Sequence, residues 1–489
     1  MLSWLFPWLS SKTDPPPAGM RVIPCTALDV AAGRDMVMTI ALVINARLDA
    51  KILEDTLWKL IELKFPRAGG RLALRNGVYE FQIPDTFDAK TPPAVFTVED
   101  HPETFHSAEK SRPKIPSAPT AFKAPSVVPA PALDPFCRSG TYPKTLDDFL
   151  KPNVPLLHVH VAVFDDLTFV GVTSPHIALD AIGTATLLAA WTRILNGDDI
   201  AAIPSMEWDA QPFASFAPES NSSSNVRVMR GWFELGWFSQ LFFIVLFMLR
   251  LIRDPKEVRY CVRVPKMFLE AEKQKIMEDL KLRGSSEYVG SSDVLIAWWF
   301  KTIYTHRAAS NTPIHLHIAN DLRGLPLFTQ DAPLAAPYIN NAAMTIPVPP
   351  ISVNAFRSES VGEIALRIRR AILTYNANLA SARAHLGWLF TGSNASKTLF
   401  PCPPGAEFAI HTSLRSAKLG KLDFSGALIG EEKARARVVF VHGMASSKNA
   451  MPGHGVGIVH MEDEDAVWMV HSMGEKRRGK DSAEWRARV

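Results

Sequence analysis

The sequence offers no cysteine framework. Its four cysteines, Cys25, Cys137, Cys261 and Cys402, are scattered through 489 residues. None has the short spacing of a zinc or dithiol site, and four are too few to staple a chain of this length. A reducing compartment and no bound metal are the expectations. Charge of one sign is also scarce. Lys and Arg number 53 against 49 Asp and Glu, a net +4 with no long basic run, which argues against a nucleic-acid partner. No G-x-S-x-G elbow occurs. The nearest stretch, GMASSKNAMPGHGVG from Gly443, lacks it, so a serine hydrolase is not indicated. No internal repeat is visible.

Long apolar runs are missing as well. Residues 1–9, MLSWLFPWL, carry no basic residue ahead of the apolar part and have Pro7 in the middle, a poor secretion signal. Trp4 and Trp8 suit an interfacial anchor. The second apolar stretch, residues 231–253, has an uncharged core of 15 residues, 235–249, short of the roughly 20 that a bilayer span needs. It reads as a buried helix or as an interfacial helix lying in a membrane surface. Its aromatics, Trp237, Phe238, Phe242, Phe243 and Phe247, exceed what one core-facing stripe requires. The interfacial reading is therefore preferred, with the chain cytoplasmic and peripheral on an internal membrane.

What is present is globular: 47% hydrophobic, 21% charged, long enough for two domains. Helical spacing of apolar residues marks 48–65, and Asn76-Gly77 marks a hairpin after it. Residues 112–135 hold seven prolines and read as an exposed extended loop. Strands are expected at 21–28, 37–46, 156–163, 167–173, 258–264, 314–319, 408–413, 438–441 and 456–460. Helices are expected at 184–191, 265–282, 291–304 and 361–377. Strands alternate with helices in both halves, an α/β pattern. The expected division is an apolar segment 1–20, a first domain 21–205, a crossover 206–255 and a second domain 256–489.

The candidate chemistry centres on residues 167–191. A short β-branched strand ends at Ser174-Pro175. His176 follows, then Asp180, then Gly183 and a helix of small residues. Strand ends in α/β proteins commonly carry reactive groups. His-x-x-x-Asp alone is weak: with 14 His, about 0.7 matches are expected by chance. A second match, His317 to Asp321, lies inside a strand-like run and looks ordinary. A lone histidine is more often a satisfied structural one, so context must decide.

That context resembles the BAHD family of CoA-dependent acyltransferases, in its fungal branch with the trichothecene 3-O-acetyltransferase-like enzymes. The matching pieces run in order from about residue 21 to 460. They are PRAGGRLAL at 66–74, HIALDAIG at 176–183, SSDVLIAWWFK at 291–301, NDLRG with YINNA at 320–342, and LDFSGA at 422–427. Departures exist. Ala181 stands where the family has glycine, and Ser-Gly-Ala replaces its Gly-Trp-Gly. Leu414 follows the Thr412-Ser413 pair where a Trp is common.

The resemblance implies two chloramphenicol-acetyltransferase-like domains, mixed sheets flanked by helices, with the site in a channel between them. It implies an acyl-CoA-dependent O-acyltransferase, first of all an acetyltransferase. The acceptor would be a hydroxyl of an apolar secondary metabolite such as a terpenoid or polyketide. His176 would be the general base, with no acyl-enzyme. Thr412 is the candidate oxyanion donor, although its hydroxyl could equally bond its own strand. Asp180 would form a structural ion pair with Arg323. Asp423 would hold a loop on the CoA side, or be an ordinary turn residue. The partners expected are acyl-CoA and a small alcohol, acting on a monomer with no nucleic acid; no residue is assigned to CoA. Two alternatives stand: a non-catalytic binding or regulatory protein on the same fold, and a condensation-domain-like enzyme. The latter usually has a second His before the motif, where this chain has Pro175.

Overall fold

The computed structural model describes residues 17–31, 33–106, 112–116, 124–217, 231–328, 332–430, 435–448 and 455–475. The expected anchor at residues 1–9, the end of the proline-, serine- and asparagine-rich crossover and residues 449–454 lie outside them.

Among the described residues the strands form three sheets. A five-stranded sheet runs in the order Val438–Ser447, Met36–Ile44, Thr168–Pro175, His158–Val163, Val95–Asp100. Thr168–Pro175 is central and wholly buried, which its continuous apolar and β-branched composition allows. It pairs antiparallel with His158–Val163 around Asp165-Asp166. A larger sheet runs Ala343–Pro347, Pro313–Asp321, Glu407–Ser413, Val456–Glu462, Ala466–Gly474, Glu257–Pro265, Ser126–Pro129. A small sheet joins Met20–Pro24 to the hairpin of Arg71–Arg75 and Val78–Pro84. Its turn residues Asn76 and Gly77 both have positive φ, 53° and 78°, as a type I′ turn demands.

The two halves exchange strands. Ser126–Pro129, from the first half, pairs with Glu257–Pro265 in the large sheet. Val438–Ser447, from the second half, pairs with Met36–Ile44. The first exchange corrects the reading of 112–135 as only a loop. A strand at a sheet edge tolerates prolines at its ends because its outer N–H groups need no partner. Val438–Ser447 also runs beside Val456–Glu462, so the two large sheets meet along these strands. The cores follow suit. One contains Trp299, Phe300 and Ile318 of the second half. The other packs first-half residues such as Leu188 and Trp191 with Ile339, Phe424 and Phe440.

Helix Ala50–Lys64 is capped by Asp49, whose carboxylate accepts from Lys51 and Ile52 N–H, and buries Leu53, Leu57, Leu60 and Ile61. Helix Ser291–Thr305 begins after Gly290, whose N–H donates to Asp293 at 2.7 Å. Helix Trp237–Arg253 buries none of its residues. That removes the buried-helix reading of 231–253. No helix among the described residues is long and apolar enough to cross a membrane.

Candidate active site

The strand Thr168–Pro175 delivers His176 to the edge of the first sheet. The His176 N–H donates to Met36 carbonyl at 2.8 Å, and the Ala178 N–H to Pro175 carbonyl at 2.9 Å, so the chain turns at once. The imidazole is half-buried. The segment around Gly33 lies across it: a Cβ on Gly33 would sit 3.9 Å from Nε2. Burial pushes the His176 pKa below its ordinary value. The Asp180 charge, and hydrogen bonding with its own backbone and Asn341, oppose this less strongly. Burial thus favours the neutral form of the ring.

The second half grips this turn. Asn341 Nδ2 donates to the carbonyls of His176 (2.8 Å) and Ile177 (3.2 Å), and to Asp29 Oδ1 at 3.2 Å. Asp29 is itself buried, and its other oxygen accepts from Thr26 N–H and hydroxyl, each at 2.8 Å. Asn340 Nδ2 donates to Ala178 carbonyl at 2.8 Å, while its Oδ1 accepts from Arg67 at 3.0 Å. Arg67 is fully buried and spends its other donors on the carbonyls of Trp208 and Ala210. In the sequence, Arg67 and the Asn pair fall inside matching blocks that assign them no role, and Asp29 falls outside those blocks. The available signals were the Asn-Asn doublet and the Thr26-x-x-Asp29 spacing, a local capping pattern.

The Asp180 carboxylate is taken up by Arg323 and by backbone N–H groups. Both of its oxygens accept from Arg323 Nη2, at 2.9 and 3.0 Å. They also accept from Gly183 N–H at 2.7 Å and Ala342 N–H at 3.0 Å. Asp180 thereby caps helix Ala181–Leu195. Arg323 is held further by Asp321 and by the carbonyls of Tyr338 and Asn340. Gly183 is required by close approach rather than by conformation: a Cβ there would come 1.8 Å from Ile339 oxygen. The glycine two positions later than the family's usual one thus seats the helix start on the second half.

The remaining candidates are not all gathered at His176. Thr412, half-buried on Glu407–Ser413, pairs with Ile458 of Val456–Glu462. Among the described residues no group takes up its hydroxyl. Asp423 caps its own turn through Ser425 N–H at 2.9 Å and makes no ion pair among the described residues. Its carbonyl accepts from Asn196, which follows helix Ala181–Leu195. Gly426 packs so closely on that helix end that a Cβ would lie 1.7 Å from Leu195 oxygen. Asp423 therefore stands a helix length, about 22 Å, from Asp180. Among the described residues no group of His, Cys, Asp and Glu is arranged to hold a metal. Lys266 and Arg415 flank a surface cleft, but Glu462 pairs with both, at 2.9 and 2.6 Å.

No family model matches the chain. Over 379 residues it is 30% identical to acetyltransferase adrJ of Penicillium roqueforti, covering 74% of each chain. Over 364 residues it is 28% identical to transcriptional regulator calD of Penicillium decumbens, covering 72% of this chain and 70% of that protein. Among solved structures, F. graminearum TRI101 complexed with ethyl coenzyme A superposes with a TM-score of 0.65 at 14% identity, covering 96% of this chain and 98% of that one. Vinorine synthase gives 0.60 at 16%, covering 98% and 96%. The fold is that of a two-domain, chloramphenicol-acetyltransferase-like α/β protein. The chain belongs to the BAHD-type acyltransferases, in their fungal branch, and is an acyltransferase enzyme.

Proposed function

We propose that this protein transfers an acyl group, acetyl first among them, from acyl-CoA to a hydroxyl of an apolar secondary metabolite of terpenoid or polyketide type. The site would lie between the halves 21–205 and 256–489. The ethyl coenzyme A in the TRI101 structure supports the donor, and the acetyltransferase relative supports the group. The carrying observation is the placement of His176. It is a half-buried residue whose backbone carbonyl is clamped by Asn341, four positions before a carboxylate already committed to Arg323.

In this reading the His176 ring takes the hydroxyl proton as the acceptor oxygen bonds to the thioester carbon. The resulting tetrahedral oxyanion takes a hydrogen bond from Thr412 hydroxyl. The carbon–sulfur bond then breaks, the carbonyl re-forms, and the imidazolium returns its proton to the departing CoA thiolate. Atoms and charge balance without an acyl-enzyme. Asp180 and Arg323 hold the turn rather than the ring, and Asp423 shapes the far end of the following helix. The enzyme acts as a monomer on the cytoplasmic face of an internal membrane, attached through 231–253.

Thiol release from acetyl-CoA in the presence of a panel of terpenoid and polyketide alcohols tests this. Release with at least one alcohol, lost in His176→Ala, is the expected result. The calD relative favours one second reading, a regulatory protein that keeps the fold without the reaction. Absence of thiol release across acyl donors and alcohols, with small molecules still bound, would select it.

A further inference from the structure

The helix Trp237–Arg253 is amphipathic the wrong way round for a protein surface in water. Its inner side carries Gln240, Phe243, Phe247 and Arg250. Gln240 Nε2 donates to Leu235 carbonyl at 2.7 Å, Arg250 Nη2 to Ala406 carbonyl at 2.9 Å, and Phe243 packs on Phe400 with ring centroids 4.8 Å apart. The outer side carries nine apolar residues from Trp237 to Ile252. Trp237 is 65% exposed, Phe238 70% and Ile252 69%. The patch amounts to roughly 1,000 Å², above the few hundred Å² that monomers commonly expose.

The shape of the patch selects its occupant. At 100° per residue the exposed apolar positions span an arc of about 160°. A second helix laid against this one covers a narrow seam. A plane into which the helix is half-sunk covers the whole arc. Charge agrees. Helix 237–253 has no acidic side chain, and its cations, Arg250 and Arg253, lie together at the C-terminal end. Arg250 is spent on backbone carbonyls. Arg253 is exposed at the rim of the patch and makes no ion pair among the described residues.

We propose that this helix lies in the surface of an anionic bilayer, its outer side among the acyl chains and Arg253 at the level of the lipid phosphates. The proposal rests on the peripheral location inferred with the activity, and adds which side of the helix enters the lipid, its depth and the charge of the lipid.

Flotation of the full-length protein tests it. The vesicles are phosphatidylcholine alone, or phosphatidylcholine with roughly one third phosphatidylserine. The parent floats with the anionic vesicles and binds the neutral ones about five-fold or more weakly, the worth of one cation at such a surface. Arg253→Glu removes that preference while leaving neutral binding in place. The triple variant Phe238→Glu, Phe242→Glu, Leu249→Glu, all on the exposed side, loses flotation with both vesicles and keeps the parent's rate of thiol release in detergent-free buffer. A parent that stays at the bottom of both gradients overturns the proposal, as does a triple variant that floats like the parent. So does a dimer in light scattering that the glutamates split without any effect of lipid, which assigns the face to a second copy. Thiol release without flotation sinks this inference and leaves the acyltransferase reading standing. Flotation without thiol release does the reverse.

Discussion

Removing Arg323 isolates the Asp180 carboxylate in a place that water hardly reaches. Asp180 is 5% exposed and the Arg323 side chain 12%. In Arg323→Ala the carboxylate keeps two backbone donors, Gly183 and Ala342 N–H, while the carbonyls of Tyr338 and Asn340 lose theirs. Breaking a buried pair from one side costs about 3–5 kcal/mol. In Asp180→Ala the guanidinium keeps Asp321 at 2.8 Å and both carbonyls, which softens the charge penalty. The lost helix cap adds about 1 kcal/mol back. Both single variants should therefore lose stability by similar amounts, and the double variant should lose less than their sum. A coupling of about 1–3 kcal/mol is expected for residues in direct contact. Asp180→Asn should fall between parent and alanine, since Asn caps a helix as well as Asp but carries no charge. Urea unfolding of the parent and the variants, compared at matched m-values, measures this. A coupling below about 0.5 kcal/mol, the size of ordinary additivity error, would refute the argument that the pair holds the turn.

His176→Ala should lower turnover about 100-fold or more, the contribution of a positioned base, with the unfolding curve unchanged; near-parental turnover would remove the base. The acid limb of kcat/KM should have its midpoint below about 6.5, because burial favours the neutral ring; a midpoint above 7 contradicts that environment. His411, His460 and His471 are pushed to about 4, 3 and 3 by burial, and each has a ring nitrogen without a hydrogen-bond partner. The unfolded chain takes up these protons near pH 6.5 and the folded one does not, so stability falls as pH drops below that value. Each adds about 1.4 kcal/mol per pH unit down to its folded pKa. A stability flat from pH 6.5 to 5, or a His471→Asn variant with the parent's pH slope, would show that they are not buried neutral.

The sequence made the local elements legible where one physical signal dominated. Helical spacing located Ala50–Lys64 and Val361–Ala377, and Asn76-Gly77 located the first hairpin. Ala466–Gly474 is not legible in the sequence, although all nine of its residues are buried. A continuous apolar run has no alternation to mark it as a strand. Helix Leu379–Leu389 and the strands Val95–Asp100 and Ala343–Pro347 are illegible for a related reason, since their patterns are short and mixed with loop residues. The strand exchange could not be read at all, because pairing between residues about 400 positions apart leaves no trace in local periodicity. In the site, the His-Asp spacing is visible and so is the cation of the NDLRG block, Arg323. The carboxamides that hold the turn are not, since an Asn in a loop has many ordinary uses.

One set of bonds between the halves fixes the His176 turn. His176 comes from the first half, yet the carbonyls of His176, Ile177 and Ala178 are all bound by Asn340 or Asn341 of the second. The carboxylate four residues on is bound by Arg323 of that half as well. The helix that follows starts against Ile339 and ends against Gly426. Neither half can set the imidazole's position alone. Asn341 also spans from His176 to Asp29, so three separate parts of the sequence meet at one carboxamide. A buried carboxamide with partners on each side tolerates little displacement, since each bond lost leaves a desolvated group behind. The interface therefore serves as the frame of the His176 turn, and a shift between the halves must move the imidazole with it.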